Sequence, residues 1–224
     1  SIVTWLQKTA KFGLVSARLT TEECWLARRL LGGAVGSPNL DVKPRAGPAD
    51  GFLVMADRNP NTAGALLAGI SPREGGFGLD GFRAAAGAGR VKWAILVGED
   101  LDDRPEDLAA LSKVPFVGVI GARASETLGK AVAFVPGGTW AEKDGTLVNG
   151  DGRLQRTRAL VRLPGEARTE SRILLDLLAR LGAPDVPAAD ASPAALFRAM
   201  AADLPALAGL TLANGFRREE YRQA

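Results

Sequence analysis

Trp93-Ala94-Ile95-Leu96-Val97, followed by Gly98-Glu99-Asp100-Leu101-Asp102-Asp103-Arg104-Pro105, is a strand-length apolar run that gives way to glycine and a group of acids ahead of a proline. The run is continuous rather than alternating, as in strands covered on both faces. Pro105 suits the first turn of a helix, where its missing N–H is not needed, and a helical pattern extends from it to about Leu111. A second apolar run, Phe116–Ile120, comes next. Strand, loop, helix, strand is a βαβ unit, whose crossover makes its strands parallel.

The same alternation continues outward. Phe12–Ser16 and Val132–Val135 are further continuous apolar runs. Between the first of these and the quoted stretch lies a helix over about Thr21–Leu31, with Thr20 and Glu23 spaced as a capping box and Gly32-Gly33 expected to stop it. Helices are also expected at Leu79–Ala88, ended by Gly89, and at about Ala124–Lys130. The fold class is therefore α/β, a Rossmann-like, doubly wound parallel sheet.

Two regions depart from the alternation. Residues 37–78 are rich in Pro, Gly, Asn and Asp, with Phe52–Met55 as a short apolar run, and are expected to be long irregular chain covered by a partner or neighbouring domain. Beyond the last strand, short β-prone pieces flank Asn149-Gly150-Asp151-Gly152, a strong hairpin signal. The remainder is a helical C-terminal appendage: Thr169–Leu181 sets Ile173, Leu174, Leu177, Leu178 and Leu181 on one face, and Ser192-Pro193 opens another helix to about Asp203. Residues 1–160 are expected to form the α/β domain and 161–224 the extension, with Arg217–Ala224 solvated at its end.

Composition excludes several chemistries. The 224 residues contain no His, which removes the commonest general base and metal ligand, and Cys24 stands alone. One thiol forms no internal disulfide and cannot hold an iron–sulfur cluster, which normally takes four. No run approaches the ~18–20 apolar residues of a membrane span, so no direct membrane insertion is expected. Arg far outnumbers Lys, yet the densest basic stretch (Arg153, Arg156, Arg158, Arg162) holds no aromatic residue, which argues against nucleic acid. Ser1 in place of an initiator Met suggests a piece of a longer polypeptide.

Candidate sites are few. Gly76-Phe77-Gly78-Leu79-Asp80-Gly81 matches the dinucleotide fingerprint and precedes a helix, with Glu99 and Asp100 about 20 residues on. Ser71-Pro72-Arg73-Glu74-Gly75 stands where the delivering strand should end, so a glycine-rich connection is the preferred reading. Glu22, Glu23, Glu99, Asp100, Asp102 and Asp103 are read as acids at helix starts rather than a metal or acid–base cluster. Cys24 has apolar neighbours at helical spacing and is read as a buried small hydrophobe. Trp5, Trp25, Trp93 and Trp140 are scattered and read as core or interface anchors.

One stretch resembles a known family. Phe134-Val135-Pro136-Gly137-Gly138-Thr139-Trp140-Ala141-Glu142-Lys143-Asp144-Gly145-Thr146, with Asn149, Gly152 and Arg153 after it, is similar to the molybdopterin oxidoreductase superfamily, where a strand ending in Leu-Pro leads to Glu-x-x-Gly-Thr and Asn-x-x-Gly-Arg. Here Val135-Pro136 replaces Leu-Pro, and the Asp usual before the strand is absent from Lys130-Ala131-Val132-Ala133. Within the superfamily the chain most resembles the C-terminal, molybdopterin-oxidoreductase-like part of the large iron–sulfur subunit of bacterial NADH–quinone oxidoreductase (complex I), through Ser16–Glu23, Leu31–Asn39, Ala56–Ala65 and Leu96–Leu101 in that order.

That resemblance implies a structural domain with no cofactor and no complete active site of its own. Iron–sulfur clusters would lie upstream in the parent chain, and partners would be that upstream region and the other peripheral-arm subunits. The location implied is cytoplasmic, on the inner face of the cell membrane through the complex. The alternative is the cofactor domain of a formate-dehydrogenase-like molybdopterin enzyme; if a pterin is retained, its contacts would be Ser16, Glu99, Glu142, Gly145, Thr146 and Asn149. A stand-alone nucleotide-binding module using Gly76, Gly78 and Gly81 is the second alternative.

Overall fold

A computed structural model describes residues 10–212. Trp5 and Arg217–Ala224 lie outside the described residues. Five strands, β1 (Ala10–Val15), β2 (Asn39–Val42), β3 (Val91–Val97), β4 (Phe116–Gly121) and β5 (Ala133–Pro136), form one sheet in the order β2-β1-β3-β4-β5. Every pairing in it is parallel. The expected α/β, doubly wound sheet is present, with a two-stranded antiparallel hairpin of β6 (Gly145–Val148) and β7 (Leu154–Thr157) and helices at the C-terminal end.

Side chains alternate across the strands and build a core on each face. Phe12 and Leu14 of β1 join Ala94, Leu96, Val117 and Val119 beneath α3 (Leu79–Gly87) and α4 (Pro105–Leu111). Val15, Val97 and Ile120 face the other way, under α1 (Thr21–Arg28), α5 (Glu170–Arg180) and α6 (Pro193–Asp203), which contribute Trp25, Leu26, Leu174, Leu178, Phe197 and Met200. Helices on both faces explain why the strands read as unbroken apolar runs.

Three expectations are corrected. Gly32 and Gly33 do not stop the first helix. After Arg28 the chain winds on as a π-helical turn, Arg29–Ala34, with Val35 N–H donating to Leu30 O at 2.8 Å. This turn lays Leu31 on the bare backbone of Gly13, and only at Gly36 does φ become positive (+69°) and end the run. Residues 37–78 are not wholly irregular, since they contain β2 and a short helix, α2 (Thr62–Leu67). Asn39-Leu40-Asp41-Val42 has only two apolar residues, too weak a local signal, and takes its conformation from pairing with β1. Over Ala124–Lys130 only Leu128–Lys130 is helical, as a 3-10 turn. Asp102 diverts the rest by accepting the N–H groups of Glu126 (3.1 Å) and Thr127 (3.0 Å) and the Thr127 hydroxyl (2.8 Å).

Candidate functional site

In doubly wound sheets ligands bind beyond the carboxyl ends of the strands, where the strand order reverses. Here that point lies between β1 and β3. β1 delivers Ser16 and Arg18 to it, and β3 delivers Gly98, Glu99 and Asp100. Gly98 has φ +68°, and a Cβ there would meet Leu19 Cδ2 at 2.8 Å, so glycine is required for the turn that aims Glu99 inward.

Glu99 sits inside the crevice as a fully covered carboxylate. Its Oε2 accepts from Ser16 Oγ at 3.0 Å and Arg45 Nη1 at 2.9 Å. Its Oε1 accepts from Asp100 N at 3.0 Å, Arg18 Nη2 at 3.2 Å and the second arm of Arg45. Lys43, buried, places Nζ 3.9 Å from Oε1 while donating to Asp100 O at 2.8 Å and pairing with Asp103. Burial works against the Arg45 charge, but the bidentate bond to Glu99 and the charges of Glu99, Asp103 and Asp100 outweigh it and hold that guanidinium more firmly protonated than usual. Asp103 is held below the ordinary carboxylate range because its bond and pairing with Lys43 outweigh the effect of burial.

Beside this group lies a cleft of about 290 Å³ over the ends of β3 and β4, bordered by Arg18, Asp100, Arg123, Thr139 and Trp140. Arg123 pairs with Asp100 at 2.7 Å. The cleft also reaches Lys143 and Glu170, part of a second buried polar group. Lys143 Nζ lies 2.7 Å from Glu170 Oε2 and 3.0 Å from Glu23 Oε2, so one cation serves two carboxylates. Burial and the Glu23 charge push Glu170 up to about 6 even so.

The hairpin docks through these groups. Glu22 accepts from Thr146 N at 2.9 Å and Thr146 Oγ1 at 3.0 Å, and burial pushes its pKa up to about 7 against those bonds. Asn61 Oδ1 accepts from Val148 N at 2.7 Å, while its Nδ2 donates to Leu19 O at 2.8 Å.

Of the six residues expected to contact a pterin, Ser16 and Glu99 are brought together. Gly145 and Thr146 instead lie buried against α1, where a Cβ on Gly145 would meet Thr20 Cγ2 at 2.5 Å. Glu142 accepts from Thr139 N (2.7 Å) and Thr139 Oγ1 (2.9 Å), closing its own capping box. Asn149 Oδ1 accepts from Asp151 N and Arg153 N inside the hairpin turn. Sequence reasoning misses Lys43, Arg45 and Lys143, because nothing local distinguishes them from solvated cations.

The fingerprint glycines serve packing. A Cβ on Gly76 would meet Pro38 O at 2.3 Å, one on Gly78 would meet Asp41 Oδ2 at 2.4 Å, and one on Gly81 would meet Phe77 Cβ at 2.6 Å. Asp41 takes the first N–H of α3, from Leu79, at 2.6 Å, so the helix terminus a phosphate would use holds an internal carboxylate. Cys24 is buried with its thiol pKa pushed far up by desolvation, as suits a small hydrophobe. Among the described residues no three His, Cys, Asp or Glu side chains gather so as to hold a metal ion.

Residues 8–180 match the family model described as molybdopterin oxidoreductase. The chain belongs to the molybdopterin oxidoreductase family. Among curated molybdopterin oxidoreductases and their kin, it is 33% identical over 126 residues to the F420-dependent formate dehydrogenase 2 subunit alpha of Methanococcus maripaludis, covering 54% of this chain and 18% of that one. The mitochondrial NADH-ubiquinone oxidoreductase 78 kDa subunit of Neurospora crassa is 31% identical over 134 residues, 60% of this chain and 17% of that one. A nitrate reductase of Symbiobacterium thermophilum is 35% identical over 118 residues, 50% of this chain and 15% of that one. The matches thus span less than a fifth of each of these relatives.

A molybdopterin dinucleotide is an anion through its phosphates and needs free cations or N–H groups. At the switch point of this molybdopterin oxidoreductase domain, Ser16 and Arg45 are turned onto Glu99, and Arg18 onto Glu99 and Asp100. The first turn of α1 is closed by Thr20 and Glu23, each bonded to the other's backbone N–H. At this position the Ser16 hydroxyl and the Arg45 guanidinium are thus paired within the chain, while Arg18 and Arg123 remain partly exposed on the cleft.

Proposed function

We propose that the chain is the cofactor-free, structural part of the large iron–sulfur subunit of an NADH–quinone oxidoreductase. It would brace the cluster-bearing region of the same polypeptide and dock to other peripheral-arm subunits, and so support electron transfer from NADH to quinone without a reaction centre of its own. The observation that carries this reading is the Glu99 carboxylate, which fills the crevice where a doubly wound sheet otherwise takes its ligand and occupies the cations around it. The relationship to the Neurospora crassa 78 kDa subunit supports the assignment to this branch. No helix among the described residues is long and apolar enough to cross a membrane, so attachment to the inner face of the cell membrane would come through partner subunits.

A second reading, the cofactor domain of a formate-dehydrogenase-like enzyme, is favoured by the identity to the Methanococcus maripaludis protein. Metal content of the full-length parent, purified from its own cells, separates the two. Several irons, no molybdenum and NADH dehydrogenase activity are expected. Iron with molybdenum or tungsten would transfer the chain to the second reading, and absence of both metals would refute both.

A further inference from the structure

Trp140, Leu160 and Val161 are large apolar residues left 64%, 73% and 56% exposed. The backbone brings them together. Ala141 O accepts Leu160 N at 2.7 Å and Val161 N at 3.1 Å, which lays the segment after β7 against the turn that carries Trp140. Leu163 pins that segment by packing on Gly138, where a Cβ would meet Leu163 Cδ2 at 2.7 Å. Single exposed apolar side chains are ordinary, but a group of them marks an interaction site. This group is held in place before any partner arrives, which lowers the ordering cost of binding.

Arginines flank it. Arg158 and Arg162 bracket Leu160 and Val161 in sequence, and both are exposed, as is Arg153 at the end of the hairpin turn. Among the described residues no carboxylate pairs with any of the three. The nearby acids are otherwise engaged, Glu142 by Thr139 and Asp144 by Arg156 at 3.6 Å, and the exposed Glu166 makes no ion pair with them. Free guanidiniums take carboxylates in a forked, two-bond geometry. Trp and Arg are also the residue types that most often carry binding energy between proteins. A nucleic acid would need a track of aromatic rings, and this face has one. A lipid surface is met by an amphipathic helix, whereas this segment is not helical.

We propose that Trp140, Leu160 and Val161, with Arg153, Arg158 and Arg162 around them, form a docking surface for an acidic segment of another protein. That segment would carry an aliphatic or aromatic side chain among its carboxylates. The proposal deepens the docking role given above and rests on that reading for taking the partner to be a subunit of the same assembly. Trp140 also edges the cleft, but none of the groups bonded to Glu99 takes part.

The test uses the full-length parent in its own cells, with the photo-crosslinker p-benzoylphenylalanine placed at Leu160, and mass spectrometry to read the attached peptide. The expected attachment is to a segment of another polypeptide in which Asp and Glu outnumber Lys and Arg. Its yield in the purified assembly should fall as salt rises, and should fall about tenfold in Arg158→Glu/Arg162→Glu. Reversing two acids of the mapped segment to arginine should then restore it, which no general loss of folding would allow. Attachment to lipid, to nucleic acid, to the same polypeptide or a second copy of it, or to a segment without an excess of acids overturns the proposal. So does the absence of any attachment, a yield that ignores salt or the arginine change, or a reversal that fails to restore it. Metal content is read separately: molybdenum in a parent that shows the expected attachment refutes the function and leaves the surface standing, and the opposite pattern refutes the surface alone.

Discussion

Glu22→Gln should make the domain more stable at neutral to alkaline pH while leaving it unchanged in mild acid. The Glu22 carboxyl is buried, and its acceptors are occupied by Thr146 N and Thr146 Oγ1 at 2.9 and 3.0 Å. Burial dominates and raises its pKa from 4.5 to about 7, with the Glu23 charge adding to the rise. A folded pKa above the unfolded one means stability that is fully present below pH 4.5 and lost as the pH climbs through about 7. At about 1.4 kcal/mol for each tenfold change in proton affinity, ionising Glu22 in the folded state costs about 3 kcal/mol. A glutamine keeps the acceptor for Thr146 N and carries no charge, and the weaker neutral bond returns about 1 kcal/mol of that gain. The net expectation is about 1–3 kcal/mol of added stability near pH 8 and little change near pH 5. Urea unfolding of both proteins across that range measures it. A variant less stable than the parent near pH 8, or a difference that stays constant with pH, would refute the reasoning. Glu170, pushed up to about 6, produces a similar decline in both proteins and cancels from the comparison.

Lys143→Met removes the cation shared by Glu23 and Glu170. Stranding buried carboxylates costs about 3–5 kcal/mol, and the loss should be smaller near pH 5, where Glu170 takes up a proton; urea unfolding at the two pH values reads both. Asn61→Ala leaves Val148 N and Leu19 O without the partners they have at 2.7 and 2.8 Å. Stability should fall by about 2–4 kcal/mol, and hydrogen exchange should quicken at the β6 amides; unchanged protection there would show that Asn61 does not hold the hairpin.

Much of the fold is legible because its signals are local. Trp93–Val97 and Phe116–Ile120 are strands because continuous apolar runs of that length fit a sheet covered on both faces. The Thr20–Glu23 capping box, Pro105 at the start of α4 and Ser192 ahead of α6 are formed by residues within a single turn of one another. β2 is not legible, because half of its residues are polar and their roles are distant. Asn39 accepts from Phe77 N at 3.0 Å, and Asp41 caps α3.

The sequence by itself determined the fold class, the strands with continuous apolar runs, the helices with local caps and the chemistry that no His and a single Cys leave out, because periodicity, capping and composition need no knowledge of what touches what. Only the tertiary structure decided which charges meet. Arg45 and Glu99 lie 54 residues apart, and Thr146 and Glu22 lie 124 apart. Hydrogen bonds and ion pairs act over about 3–4 Å, so the sheet order that gathers these ends also sets their partners. Burial then turns one surface-type acid, Glu22, into a group that titrates near neutrality, and another, Glu99, into the occupant of the crevice.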